Sequence, residues 1–451
     1  MFSLKSLSAP LLRLSGKAVV VLALLSSAPA LLVSEPARAS GFALTEQSVN
    51  NLGTAASGGA AGIDDLSTIH FNPAGLVRLE EGAAVAPAGY IIFSNATFDN
   101  EGTTIVPALA ATGGDGGNAG SASFVPNFYG AYSVSEDFRL GVGVTVPFGL
   151  STEYDSDWVG RYQAIKSDLQ TININPTAAY RISNEFSVGA GLNIQYAEAE
   201  LSNAIDFGSA LAAQGAPVAP QSADGDVNIS GSDWSVGYNL GIIYEPTQST
   251  RIGLAYRSPI NHTLRGDADF NVPAQATALT ATGLFTDSAA TAELNLPDTV
   301  ALGLHQKITS RLDLTADVTW TNWSDFEELR VDFDSPQPDS VVPENWNDTF
   351  RIAAGLTYAI DDTWTVRSGV AYDPSPVPDE FLTARIPDSN RTWVSLGFSY
   401  EPTDSLSVDL AYTHIFIAGR SINQTEPGAG TLVGDFSSGV DIVGAQVNWR
   451  F

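Results

Sequence analysis

Most of the chain after residue 83 alternates between apolar and polar residues, and this period of two is the feature that most restricts its fold. The runs 186–196 and 312–320 alternate without a break. Successive side chains of a β-strand point to opposite faces, so the pattern predicts strands with one apolar and one polar face. The same alternation occurs in further runs: 234–244, 252–256, 350–360, 364–372, 394–400 and 406–412.

A soluble β-sandwich also alternates, but three details favour a transmembrane β-barrel. The apolar faces often begin or end in an aromatic residue, and the opposite faces are too polar and too rich in glycine for a dry core. Short connections also alternate with long ones. Aromatic girdles and this asymmetry of turns and loops are typical of outer-membrane barrels. The aromatic residues at the ends of the runs are Tyr196, Trp234, Tyr244, Tyr256, Tyr358, Trp364, Tyr372, Tyr400 and Tyr412.

The connections predict the number of strands. Short turns lie at 135–137, 183–185, 246–249, 309–310, 361–362 and 402–404, and long connections lie near 99–120, 150–167, 202–228, 267–291, 334–346, 377–386 and 421–433. Six short turns and seven long loops imply fourteen strands. We therefore predict an all-β membrane protein, a 14-stranded antiparallel barrel spanning residues 83–451 in the outer membrane of a Gram-negative bacterium. The even strand count places both chain ends on the periplasmic side.

Composition excludes several classes of function. The formal net charge is −29, which gives no electrostatic reason to bind nucleic acid. The chain has no cysteine, and its four histidines, at positions 70, 262, 305 and 414, are too far apart in sequence for a local metal motif. We therefore expect no metal and no cofactor. We also expect no enzymatic activity, because neither His70 nor His414 has a recognisable catalytic partner in the sequence.

The N-terminal 39 residues predict an export signal. Lys5, Arg13 and Lys17 precede a short apolar run, and Ala37 and Ala39 supply the small residues that a signal peptidase reads. We expect cleavage after Ala39; a membrane anchor is the alternative. After residue 40 no stretch approaches the roughly 18 to 20 apolar residues that a spanning helix needs.

Residues 40–82 precede the first predicted strand and differ from the rest of the chain. They are rich in Gly, Ala and Ser and show no clear period of two. A barrel of sixteen to eighteen strands encloses an aqueous channel, so a fourteen-stranded barrel would leak unless something fills it. We predict that residues 40–82 fold as an N-terminal hatch that plugs the lumen.

Several motifs resemble the FadL/TodX family of outer-membrane transporters for long-chain fatty acids and other hydrophobic compounds. In the hatch these are GFALTEQS at 41–48, AAGIDDLST at 60–68 and FNPAG at 71–75; in the barrel they are VPFGLSTEY at 146–154, NLPD at 295–298 and YDPSPVP at 372–378. The resemblance implies a fourteen-stranded barrel plugged by the hatch. It also implies capture of ligand between extracellular loops, transfer to an internal pocket and lateral release at a kink in the third strand.

The resemblance assigns roles to particular residues. Two apolar loops are the candidate capture groove, through Ile205, Phe207, Leu211, Val218, Val272, Leu279, Leu284 and Phe285. The alternative is that these side chains pack together as a lid. The third strand carries the candidate kink at Gly143, Pro147 and Gly149, because proline cannot donate to the ladder and glycine weakens it. The alternative is that its glycines make room for the hatch.

Charged residues predict how the hatch is held. Period two places Arg139, Arg181, Arg251, Arg257, Arg351 and Arg367 in the lumen, where they are expected to pair with Glu46, Asp64 and Asp65 of the hatch. The turn formed by Asn72, Pro73 and Ala74 is expected to fix the hatch near its exit, with a structural or a gating role.

The ligand remains open at this point. Long-chain fatty acids are the leading substrate, and Arg161, Lys166, Arg257 and Arg265 are the candidates that would meet a carboxylate. Neutral hydrophobic compounds such as aromatic hydrocarbons are the alternative; a general porin or a surface receptor or adhesin is an alternative of another class. The other expected partners are outer-membrane lipids and lipopolysaccharide, and the barrel-assembly machinery, whose recognition signal the C-terminal run 447–451 resembles. We expect a monomer.

Overall fold

The computed structural model describes residues 41–107 and 109–451. The predicted signal peptide and its cleavage site lie outside these residues. The strands are β1 (Ala83–Asn100), β2 (Thr104–Val106), β3 (Leu109–Ala110), β4 (Ala122–Ser133), β5 (Phe138–Thr145), β6 (Gly149–Glu153), β7 (Lys166–Arg181), β8 (Phe186–Asp206), β9 (Asp224–Thr247), β10 (Thr250–Arg257), β11 (Ile260–Asn271), β12 (Ser288–Leu296), β13 (Thr299–Lys307), β14 (Leu312–Thr321), β15 (Glu328–Phe333), β16 (Ser340–Pro343), β17 (Thr349–Ala359), β18 (Trp364–Asp373), β19 (Arg391–Thr403), β20 (Leu406–Ile417), β21 (Arg420–Glu426) and β22 (Gly430–Arg450).

Helices are few and short. The α-helices are α1 (Val49–Leu52), α2 (Thr68–Phe71) and α3 (Phe207–Ala213), and the 3-10 helices are Pro73–Arg78, Thr277–Thr282, Trp323–Asp325 and Asp379–Phe381. No helix in the described part of the chain is both long and apolar enough to cross a bilayer.

Fourteen antiparallel strands close into a barrel, as the sequence predicts. β1 pairs with β22 on one side and with β4 on the other, which closes the ring. The wall consists of β1, β4, β5, β7, β8, β9, β10, β13, β14, β17, β18, β19, β20 and β22. All six predicted short turns join neighbouring wall strands, and their side of the barrel is called the short-turn end below. The opposite side is called the loop end.

Alternation of side chains determines the two faces of the wall. In β19 the inward residues Trp393 and Ser395 are buried, whereas the outward Val394, Leu396 and Phe398 are 44 to 51% exposed. Apolar side chains on the outer face suit contact with the hydrocarbon of a membrane. Closure of the ring satisfies the backbone N–H and C=O groups, for which hydrocarbon offers no partners. The long loops differ from the prediction in one respect: many continue as strands above the wall, such as the β15–β16 hairpin.

The segment 41–82 lies inside this ring of strands, and we call it the hatch. Its contacts reach opposite parts of the wall: Tyr129 Oη donates to the Gln47 carbonyl (2.7 Å), and Gly59 N–H donates to Asp317 Oδ2 (2.7 Å). Val49 N–H donates to Gln446 Oε1 at 3.2 Å. Hydrogen bonds to β4, β14 and β22 thus replace the water that would otherwise satisfy the hatch backbone.

Candidate functional site

An apolar cavity lies inside the loop end of the barrel, and we call it the chamber. Its volume is about 80 Å³. Strand residues reach it from β7, β8, β9, β11, β12 and β15 because their inward side chains are apolar at this level, unlike the polar inward residues nearer the short turns. The apolar side chains include Phe42, Leu150, Leu169, Leu201, Leu264 and Phe326.

Phe42 of the hatch is part of the chamber wall and is only 2% exposed. Its ring packs edge-on against Trp323 and Phe326, with centroids 4.9 and 5.6 Å away, and lies 6.0 Å from the ring of Phe148. Phe148 in turn lines a second internal cavity of about 170 Å³ between the hatch and the wall. The Phe42–Phe148 pair therefore separates the two cavities.

The third wall strand is interrupted beside this pair. β5 pairs with both β4 and β7, but β6, which continues it, pairs with β7 alone within the described wall. Residues 146–148 separate the two strands, and Pro147 among them has no N–H to donate. The segment 122–127 of β4 is consequently paired with β1 but not with the third strand. The ladder between β4 and the third strand thus ends at the Phe128–Val144 pair.

The hatch occupies the inner side of the interruption through backbone pairing. Leu44 N–H donates to the Pro147 carbonyl (2.8 Å), and Gly149 N–H donates to the Phe42 carbonyl (2.9 Å). These two bonds enclose an antiparallel bridge between Ala43 and Phe148. We call this bridge the latch. It ties the first residues of the hatch to the interrupted strand.

The predicted kink residues have different positions. Pro147 lies within the interruption and Gly149 begins β6. Gly143 does not belong to it, because it pairs with Tyr129 on one side and Asn175 on the other. A Cβ at Gly143 would lie 3.1 to 3.2 Å from Tyr129 and Ile69, so this glycine instead allows close packing of the hatch.

The candidate capture residues largely come together. Phe207, Leu211 and Ala276 are buried in one cluster, with Ile205, Val218, Val272, Leu279 and Phe285 packed against it; Leu284 is outside the cluster. The rings of Phe207 and Phe285 meet edge to face at 4.9 Å. In this conformation the two loops bury their apolar side chains against each other, as expected for a lid.

The expected lattice between wall arginines and hatch carboxylates was largely wrong. Asp64 does pair with Arg251 at 2.9 Å, but Asp65 accepts from Ser67 N–H (2.7 Å) and Gln446, and no side-chain bond to Glu46 is found in the described chain. The other arginines reach hatch carbonyl groups instead. Arg139 donates to the Glu80 carbonyl, Arg181 to that of Val77, Arg257 to that of His70 and Arg351 to those of Ala55 and Ala56, while Arg367 donates to Ser399.

The physical reason is the shape of the hatch. Its segments are too short to satisfy their own backbone carbonyl groups, and a guanidinium with five N–H donors can satisfy several of them. Sequence patterns locate the arginines but not the carbonyl groups that point at them.

The Asn72–Pro73–Ala74 turn anchors the hatch to two wall strands. Asn72 Nδ2 donates to the carbonyl groups of Ala60 (2.6 Å), Ile242 (3.1 Å) and Leu254 (3.4 Å), and its Oδ1 accepts from Ala74 N–H (3.1 Å). Pro73 begins a 3-10 helix. A Cβ at Gly241 of β9 would lie 1.9 Å from Asn72 Oδ1, so only glycine allows this approach.

The four basic residues predicted from sequence are not available in the chamber. Arg161 pairs with Asp224 at 3.0 Å and Lys166 with Glu200 at 2.6 Å, both at the loop end. Arg257 donates to Asn193 and to His70 in the hatch, and Arg265 is exposed. The basic residue that does line the chamber is Arg385, which the sequence analysis missed.

Arg385 lies in the loop between β18 and β19. This loop was predicted, but no periodicity or motif indicates that it folds inward over β6, β7 and β8. Its inward course is fixed by tertiary hydrogen bonds: Tyr154 Oη donates to the Ala384 carbonyl (2.9 Å), and Thr152 Oγ1 donates to the Arg385 carbonyl (3.1 Å).

A buried carboxyl group lies near the chamber at the loop end. Glu344 is 1% exposed, and Trp346 Nε1 donates to its Oε2 at 2.8 Å. Burial raises the pKa of Glu344 to about 8, because the charged form is poorly solvated there.

The short-turn end contains a cavity of different character, which we call the vestibule. Its volume is about 480 Å³. Charged side chains from the hatch and the wall line it, including Asp64, Asp65, Arg139, Asp313, Arg367 and Asp409.

A family profile, described as outer membrane protein transport protein (OMPP1/FadL/TodX), matches residues 30–451. This chain belongs to that family. It is therefore a transport protein of the bacterial outer membrane.

Individual relatives agree with this assignment. The chain is 31% identical over 415 residues to the long-chain fatty acid transport protein of Escherichia coli K12, covering 87% of this chain and 91% of that protein. It is 31% identical over 422 residues to outer membrane protein P1 of Haemophilus influenzae, covering 88% and 90%.

Solved structures of the family share the fold. A Pseudomonas aeruginosa FadL homologue superimposes with a TM-score of 0.85 at 24% identity, covering 91% of this chain and all of that one. The toluene transporter TodX of Pseudomonas putida gives a TM-score of 0.70 at 16% identity, covering 89% and 98%. The fourteen-stranded barrel of this FadL/TodX protein is thus a known architecture.

Proposed function

We propose that this FadL/TodX protein takes up long-chain fatty acids across the outer membrane. The two apolar loops capture the ligand, the chamber holds it, and it leaves sideways through the interruption in the third strand. The observation that carries this proposal is the position of the apolar chamber beside the interrupted strand: Phe42 lines the chamber, and its ring lies 6.0 Å from that of Phe148 in the interruption.

The chamber must widen to hold any such ligand. An engineered protein cavity that binds benzene measures about 150 Å³, whereas the chamber measures about 80 Å³. Phe42 is the side chain best placed to move, because it belongs to a short hatch segment and not to the hydrogen-bonded wall. Its displacement would also pull on the latch, since the Phe42 carbonyl accepts one of the two latch bonds. Entry of the ligand into the chamber and breaking of the latch bonds would then occur together.

The hatch plugs the barrel in this proposal, so that ions do not pass while the ligand does. Its support is the ring of contacts from β4, β9, β14 and β22. The Asn72 turn holds the hatch near β9 and β10 during the movement of its first residues. The capture cluster must open before ligand reaches the chamber, because its members are packed together.

Uptake of neutral hydrophobic compounds such as aromatic hydrocarbons is the second candidate. Its support is the small size of the chamber, which requires less widening for a single ring than for a long acyl chain. A general porin would need an open polar path, and the hatch contacts argue against one.

The test is the identity of the bound molecule. Compounds that co-purify with the protein are identified by mass spectrometry, and binding of oleate and of toluene is then measured in non-ionic detergent. Uptake of radiolabelled oleate is measured in cells that lack their own transporter. We expect oleate to bind and to be taken up. Binding of toluene without oleate would establish the second candidate, and binding of neither would refute both.

A further inference from the structure

We propose that the tip of the β15–β16 hairpin is a clasp that holds the capture cluster closed, and that Gln337 in this tip sets how fast ligand enters the chamber. The clasp consists of residues 335–337. The proposal rests on the proposed uptake function. It adds a third loop to the two that the sequence analysis assigned to capture, and it makes Gln337 a positioning residue.

The hairpin is a firm support for its tip. β15 pairs with β16 on one side and with β12 on the other, so the base of the hairpin is fixed to the barrel. In the tip, Pro336 and Pro338 flank Gln337. Each proline fixes its own φ and restricts the residue before it. The side chain of Gln337 is therefore held out with little backbone freedom.

Two contacts join the clasp to the capture loop between β11 and β12. Phe285 N–H donates to Gln337 Oε1 at 3.1 Å. Gly283 has a φ of +82°, and a Cβ there would lie 2.8 Å from Pro336 Cγ, so glycine allows this close approach. A hydrogen bond and a packing contact thus hold the end of the capture loop against the hairpin.

The backbone of Phe285 is strained. Its φ is 52°, in the left-handed region that a bulky residue rarely adopts, so other contacts must maintain it. They are the bond to Gln337 and ring contacts with Phe207 at 4.9 Å and with Phe270 at 6.1 Å. Phe207 is fully buried in the capture cluster, and relaxation of Phe285 would withdraw the ring that covers it. The strain favours opening of the cluster, and the clasp opposes it.

Loss of the clasp should therefore change rates and not affinity. The residues that line the chamber do not include the clasp, so the clasp does not contact a ligand held there. A cluster that opens more readily accelerates entry from the loop end and return by the same route by the same factor. The Kd then stays constant, whereas a residue that contacts the bound ligand would change it.

The experiment measures association and dissociation of parinaric acid, a fatty acid that is itself fluorescent, by stopped-flow with the purified protein in non-ionic detergent. In Gln337→Ala both rate constants should rise about 3- to 10-fold, the effect of one lost hydrogen bond, with the same Kd. Gln337→Glu keeps an acceptor for Phe285 N–H and should retain the rates of the unaltered protein. Gly283→Ala, whose methyl group would displace Pro336, should accelerate both steps as Gln337→Ala does.

The matched control is Gln275→Ala, an exposed glutamine of the same capture loop, whose rates should equal those of the unaltered protein. Heat-modifiable gel migration verifies that each variant is folded. Unchanged rates in Gln337→Ala, a change in its Kd in place of its rates, or the same acceleration in Gln275→Ala or Gln337→Glu would overturn the clasp. If the unaltered protein does not bind parinaric acid, the proposed function itself fails.

Discussion

The two ends of the barrel interior differ in both size and chemistry. The chamber at the loop end is small and mainly apolar, about 80 Å³, whereas the vestibule at the short-turn end is about 480 Å³ and lined by charged side chains. Moving an apolar chain from the first into the second would expose it to water and to charges, at about 25 cal/mol for each Å² of apolar surface. Because of this difference, continuing along the barrel axis into the vestibule would be unfavourable for an apolar ligand. In the proposed route the ligand instead leaves through the interrupted strand into the apolar bilayer.

The largest expected effect comes from deleting most of the hatch, which lies between the chamber and the vestibule. Deletion of residues 41–75 should convert a closed barrel into an open one, because fourteen strands enclose more space than their own side chains fill. Planar-bilayer recording should then show a continuous ionic current that the intact protein lacks. Equal currents in both proteins would mean that the hatch does not plug the barrel.

The latch gives the next largest effect. Ala43 and Phe148 face each other across the bridge, and directly opposed residues of this kind have Cα atoms about 4.5 to 5.5 Å apart, within the range of a disulfide. The double variant A43C/F148C should lose uptake of labelled oleate when oxidised and regain it on reduction.

The chain has no native cysteine, so no other disulfide can form within it. The single variant A43C is the control and should respond to neither treatment. If uptake persists in the fully cross-linked protein, ligand release does not require the latch to open.

Paired substitutions at the two ends test the comparison directly. Leu264→Asp places a carboxyl group in the chamber and should weaken oleate binding by about 10- to 100-fold, because burying a charge there is unfavourable. Arg311→Leu in the vestibule should leave binding and uptake unchanged. A strong effect of Arg311→Leu on uptake would place the vestibule on the route of the ligand.

The smallest effect is a local dependence on pH at the loop end. Because burial raises the pKa of Glu344 to about 8 from its usual value of 4.5, the folded loop holds a proton that the unfolded chain releases between these values. Stability of this loop should therefore decrease as the pH rises from about 4.5 to about 8. Fluorescence of Trp346, which donates to Glu344, should change as the pH passes about 8, where Glu344 ionises in the folded protein.

Glu344→Gln provides the control for this titration, since its amide keeps a hydrogen-bond acceptor and does not ionise. Its fluorescence should be independent of pH in the same range. An identical response in both proteins would assign the change to another group.

Alternation of apolar and polar residues was sufficient to predict the wall. Strand identity, the six short turns and the number of strands are local properties, since each depends on side chains two positions apart and on turn residues between them. The composition of residues 40–82 led to the hatch, and the family resemblance led to the third strand, where Pro147 does lie in the interruption.

Contacts between distant segments could not be predicted in the same way. Gly143 was expected at the kink, but its role depends on Ile69, which lies 74 positions away in the chain. Hatch acids were expected to pair with wall arginines, yet most of these arginines reach backbone carbonyl groups, which no sequence pattern displays.

The sequence by itself determined a closed cylinder with an apolar outside, because a period of two fixes which face of each strand meets hydrocarbon. Only the tertiary structure decided that a loop arginine lines the chamber and that the first hatch residues pair with the broken strand. Those arrangements result from long-range hydrogen bonds and packing, whose partners are adjacent in space but not in the chain.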